Sequence, residues 1–153
     1  MTPLYAIARD IDQAVGGTAC RAALEASTFD LSLVRWRFLA AVLREMKPGP
    51  AEVQAAIDPV IAGMDRLGRG EDWPEADARA AAKAAWAAAK SAWAAWAAEA
   101  AWAAVRAAVR AAAAQWSAAA DAAAAAAWAA TFADVPCARQ RDILLRLIQE
   151  ASE

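Results

Sequence analysis

Residue types that do acid–base or metal chemistry occur here as two close acidic pairs, Asp10 with Asp12 and Glu71 with Asp72. Paired carboxylates are what general acid–base hydrolysis or a divalent cation would require. Both pairs are expected at helix ends or on solvated faces, where an acid stabilises a helix start without doing chemistry. The sequence contains no histidine, which removes the usual base of Ser-His and Cys-His catalysis and the commonest zinc ligand. Ser27, Ser32, Ser91 and Ser117 therefore have no base in view. Cys20 and Cys137 are expected to be reduced thiols packed in helices, as in a cytosolic protein. No phosphate-binding glycine loop, paired-cysteine site or nucleophile elbow occurs. No catalytic residue, cofactor or metal ligand is assigned, and the chain is expected not to be an enzyme.

The residues that point to binding are the eight tryptophans. Six stand in an alanine lattice without sharing one helical face, so they cannot all fill one core if the helix is straight; in a segment that folds back, the alternative to a binding role is that they fill gaps between close-packed alanine helices. A tryptophan exposed on a surface of alanines is a natural anchor for a partner protein. Trp96 and Trp102 flank Glu99 at i−3 and i+3, and with Arg106 and Arg110 they form the expected partner-binding surface.

These residues are positioned by residues 75–135, where neither glycine nor proline interrupts a strongly helix-forming composition. One straight helix over that span would be about 90 Å long, against a radius of gyration of about 15 Å for a compact chain of this size. The helix is therefore expected to break and fold back. Glu99, Arg106, Arg110, Ser117 and Asp121 share one narrow stripe, whereas Lys83 and Lys90 fall nearly opposite. The phase change places a break within residues 90–98, with Ser91 able to cap a new helix; a second break fits residues 115–117.

The rest of the chain reads as further helices. A first is predicted over residues 3–15, with Leu4, Ile7, Ala8, Ile11 and Val15 on one face, ended by Gly16-Gly17. Thr18 can cap a short helix running to residue 26. Ser27-Thr28-Phe29-Asp30 has the form of a capping box for a third helix, residues 31–46, expected to be the most buried element. In it, Arg35 and Arg37 lay their stems along the core edge, the alternative being that they face an acidic partner. Lys47-Pro48-Gly49-Pro50 is a turn. A fourth helix follows over residues 51–67, kinked at Pro59 and stopped by Gly68-Arg69-Gly70. Asp72 is the expected N-cap of the alanine-rich part, which explains the acids at 71–75 without a metal. Asp134 and Pro136 start a last amphipathic helix with Ile143, Leu144, Leu147 and Ile148 on one face.

The fold class is thus all-α: a single domain, residues 1–153, forming a bundle of six to eight helices. Residues 1–70 are apolar helices, 71–134 the alanine- and tryptophan-rich part that folds back and packs on helices three and four, and 135–153 the terminal helix. The net charge of −2 gives no reason to expect nucleic acid. Residues 111–130 are apolar, but Asp121 at their middle argues against a membrane span. The start of the chain lacks the apolar run of a signal peptide, so a cytoplasmic location is expected. Small residues at regular spacing permit close contact between copies, hence a homodimer.

The stretch WPEADARAAAKAAWAAAKSAWAAWAAEAAWAAVRAA, preceded by VIAGMDRLGRGED and followed by ARQRDILLRLIQE, resembles the alanine-rich immunity protein family of bacteria and mobile elements. The likeness runs from near Ala51 to the end and rests on the order of parts: apolar helix, short turn, alanine lattice, charged terminal helix. Members often carry tyrosine where this chain has tryptophan, and the first fifty residues match less clearly. The resemblance implies a small helical protein, without catalytic residues, that neutralises a toxin or effector by binding it. A phage or mobile-element protein blocking a bacterial defence complex, as anti-CRISPR proteins do, would need the same kind of surface. A self-associating helical scaffold is the structural alternative.

Overall fold

The computed structural model describes residues 3–45, 51–91 and 135–152. Among them the chain is all-helical, with six helices and no strand: α1 (Pro3–Val15), α2 (Ala19–Ala26), α3 (Val34–Glu45), α4 (Ala51–Gly68), α5 (Glu75–Ser91) and α6 (Cys137–Glu150). α5 runs through Ser91; residues 92–98 of the expected division, the second break at 115–117, the fold-back, the turn at 47–50 and Asp134 lie outside the described residues.

The apolar spacing in each helix dictates its neighbours. α3 buries Val34, Trp36, Phe38, Leu39, Ala40, Val42 and Leu43, and so has apolar residues to offer on more than one side. It packs on α4, α6 and α1. α6 directs Ile143, Leu144, Leu147 and Ile148 into the same core. Two ion pairs show the direction of this packing. Arg37 near the start of α3 bonds Glu150 at the end of α6 at 3.0 Å, and Arg139 near the start of α6 bonds Glu45 at the end of α3 at 2.6 Å. The two helices therefore run antiparallel. A further pair, Arg44 with Asp65, joins α3 to α4.

Arg35 and Arg37 keep their stems along the core edge as expected, but the Arg35 guanidinium, expected in water, has its Nε buried. The Arg37 stem crosses Gly68, where an added Cβ would stand 2.7 Å from its Cγ, and its acid is Glu150 of the same chain. The Arg35 guanidinium carbon lies 4.3 Å from the centre of the Trp36 ring, a cation–π contact.

α5 shows how an alanine-rich helix is held. Ala78, Ala81, Ala85 and Ala88 are buried at helical spacing, forming a narrow seam. Among the described elements α5 touches α4 alone; the expected packing on α3 of the rest of the alanine-rich part lies outside the described residues. The turn at 69–74 lays α5 back along α4, whose other side is already occupied by α3. Trp73, just ahead of α5, is buried against Gly63 of α4.

Several helix ends depart from expectation. α3 starts at Val34 and not at 31: Leu31 C=O accepts the Val34 N–H, and Leu33 C=O accepts from Trp36. Ser27 and Asp30 are not a capping box, because each side chain is spent on the N–H two residues on, Phe29 and Ser32. α5 begins at Glu75, its first turn bond running from Ala78 N–H to Pro74 C=O, so Asp72 lies two residues too early to be the N-cap. α6 is flanked by Pro136, with no side-chain cap, and Gln140 reaches back to Val135 C=O. α4 continues through Pro59 as one helix, with Pro59 on its exposed side.

Candidate functional site

The sequence-based binding residues Trp96, Glu99, Trp102, Arg106 and Arg110 all lie outside the described residues. Trp36 and Trp73, by contrast, are buried and belong to the core.

Glu71 and Asp72 lie exposed in the turn between α4 and α5, as expected of acids at a helix end. Glu71 accepts from Arg69 at 2.6 Å and lies 3.7 Å from Arg66; the Arg69 bond, the nearer charge and then Arg66 hold its carboxyl below the usual range. Glu75 pairs with Arg79 one turn on. These acids are absorbed in ion pairs, and no group of three His, Cys, Asp or Glu among the described residues is arranged to hold a metal. Asp10 pairs with its neighbour Arg9.

Asp12 overturns the expectation of a solvated face. It is fully buried, on the same apolar stripe as Ala8 one turn earlier. Its carboxylate accepts the backbone N–H of Cys20 at 2.9 Å and of Arg21 at 3.0 Å, and the Arg21 Nε at 3.2 Å. It therefore does for the start of α2 what Thr18 was expected to do; Thr18 makes no side-chain cap bond. An anion at the free N–H groups of a helix start is favoured twice, by hydrogen bonding and by the helix dipole. Burial pushes the Asp12 carboxyl up, but the bonds from Arg21 and Cys20 outweigh it and hold it below the ordinary value. Such a carboxylate is sealed and already occupied, which suits a structural anchor and not a general base.

The cysteines are both free. Cys20 is buried, as expected, and burial, with the Asp12 charge beside it, pushes its thiol up to about 12. It has no thiolate character for nucleophilic attack. Cys137 is exposed at the first residue of α6, contrary to the expectation of a packed thiol, because the apolar face of that helix begins farther along.

The surface that remains is the loop between α2 and α3. Phe29 is 53% exposed and Leu33 38% exposed. The loop is shaped by its own side chains: Ser27 Oγ accepts Phe29 N–H at 3.3 Å, and Asp30 Oδ1 accepts Ser32 N–H at 2.9 Å. The Ser32 bond also holds the exposed Asp30 carboxyl below its usual range. At one shoulder Ser27 N–H returns to Leu24 C=O, and at the other Leu33 reaches toward Gly70, whose left-handed turn (φ 76°) brings the chain past it. An aromatic ring held outward on a preformed turn, beside an acid, can enter an apolar pocket of a partner at little entropic cost. Sequence reading missed this surface because Ser27 to Asp30 matched a helix start. The signal was Phe29 itself, placed between two short polar side chains that favour turns.

No described helix is long and apolar enough to cross a membrane. Comparison with protein-family models, with curated proteins and with solved structures finds no match to this chain.

Proposed function

We propose that this protein is a non-enzymatic inhibitor that neutralises a toxin or effector protein by direct binding in the cytoplasm, with the Phe29 loop as part of the contact surface. The observation that carries the proposal is the outward Phe29 ring on a loop already folded by Ser27 and Asp30. Its support is twofold. The described acids and thiols are taken up by the fold or lie apart from one another, and an exposed aromatic on a preformed turn has the character of an interface anchor. Trp96, Glu99, Trp102, Arg106 and Arg110 are proposed as a second part of that surface. A bacterial defence complex is an equally suitable kind of target, since inhibition of either needs a binding surface and no chemistry.

The test is to immobilise the protein, capture partners from the native host, and assay each captured toxin, nuclease or defence complex with and without added protein. Phe29→Ala, Trp96→Ala and Trp102→Ala are run beside the wild type, with circular dichroism confirming the fold. The activity of one captured protein is expected to fall on addition of wild type. Phe29→Ala should weaken that inhibition by about thirtyfold, the effect of losing one aromatic hot spot. No inhibited partner, together with a large homo-oligomer on sizing, would replace this proposal by the scaffold reading.

A further inference from the structure

Taking the Phe29 loop as the binding surface proposed above, we infer that Asp12 and Tyr5, two side chains of α1, are its positioning residues and act through α2. The inference starts from what holds α2. It has eight residues, too few for a helix to persist alone in water. Among the described elements it touches only α1 and α6.

α1 grips it at both ends. At the start, buried Asp12 gathers the Cys20 and Arg21 N–H groups and the Arg21 guanidinium. At the end, Tyr5 Oη donates to Glu25 Oε1 at 3.1 Å. Asp12 and Tyr5 lie seven residues apart on α1, two turns of one face, and so meet a helix of two turns end to end.

The loop takes its place from that helix. Its side-chain bonds are internal, Phe29 to Ser27 and Ser32 to Asp30, so they set its shape without attaching it to the body. The attachment at the Phe29 end is Ser27 N–H to Leu24 C=O, in the last turn of α2. Leu31 and Leu33, at the other end, are carried by α3. Loss of the α1 bonds leaves α2 held by its packing on α1 and α6 alone, which loosens Phe29 while leaving α3 in place.

Backbone 15N relaxation and hydrogen exchange on the full chain test this with Asp12→Asn and Tyr5→Phe. Asp12→Asn should speed exchange of the α2 amides about tenfold, the loss of a charge-assisted buried bond. The order parameters of Phe29 and Asp30 should fall toward about 0.6, with α3 and α4 amides unchanged. Tyr5→Phe should act in the same direction over residues 25–30 alone. Faster α2 exchange with Phe29 and Asp30 still rigid would overturn the inference, since α3 would then be what holds the loop. Equal acceleration through α3 and α4 would also overturn it, since Asp12 would then support the whole fold. These readouts need no partner: a failure of Phe29→Ala to weaken inhibition would remove the functional proposal and leave the relaxation result standing.

Discussion

Trp73 packs flat on Gly63: a Cβ added to that glycine would stand 2.2 Å from Cε2 of the indole and 2.4 Å from two more of its ring carbons. Gly63 is mid-helix, where glycine is otherwise disfavoured by about 1 kcal/mol relative to alanine. The close approach of the indole accounts for its presence.

Gly63→Ala is accordingly expected to destabilise the protein although it raises helix propensity. Trp73 would have to leave its site, and overpacking a fitted core costs about 1–3 kcal/mol. Chemical denaturation should show a lower midpoint with unchanged slope, and the Trp73 indole N–H resonance should shift toward that of an exposed indole. A stabilised variant would show that the indole moves aside without cost.

Asp12 predicts an acid limb in the stability curve. Its carboxyl is held below the ordinary value when folded, so it contributes stability that is fully present above the unfolded value of about 3.9. That contribution is lost as pH falls through the lower folded value. Urea midpoints measured from pH 7 down to pH 2 should drop more steeply for wild type than for Asp12→Asn, which has no charge to lose. At pH 7 Asp12→Ala, which strands two helix N–H groups, should cost about 2–4 kcal/mol.

The two thiols should differ in reactivity. Cys20 is buried with its thiol pushed up to about 12, while Cys137 is exposed. A thiol reagent at pH 8 should modify Cys137 in the native protein and reach Cys20 only on unfolding. Rapid labelling of Cys20 under native conditions would mean that α2 opens readily.

Much of the helical layout was legible because its signals are local. Gly16 ends α1 in the left-handed conformation that the Gly16-Gly17 pair suggested, and α2 ends at Ala26 as expected. The apolar faces of α1 and α6 follow directly from spacing. The departures have two causes: a side chain reaching a partner distant in sequence, and a side chain captured by a nearer N–H than the pattern implies. Thr18 is the local candidate cap for α2, yet Asp12 fills the role from the preceding helix. Asp12 stands four residues after Ala8 on the apolar stripe, and an acid in that position was a sign of burial. Ser27 and Asp30 satisfy a helix-start pattern, but each is used by a nearer N–H, so α3 begins later. The antiparallel seating of α6 on α3 is marked at its ends by Arg37 with Glu150 and Arg139 with Glu45, pairs separated by about a hundred residues, which no spacing rule connects. The binding surface assigned from sequence lies beyond the described residues; the loop carrying Phe29 was hidden by its resemblance to a cap.

The seam of α5 is repetitive in a way that matters for register. Slide the helix by four residues and Ala78, Ala81, Ala85 and Ala88 are replaced by Ala82, Ala85, Ala89 and Ala92, so the seam reads the same in both positions. A row of alanines carries no address. The indole of Trp73 in the notch at Gly63 does, and it works as the index pin of a sliding scale, making one setting of the helix differ from the next. Substitutions along the seam would change how firmly α5 is held, whereas a change at the pin would alter where it sits and move every residue displayed on its outer face by a whole turn.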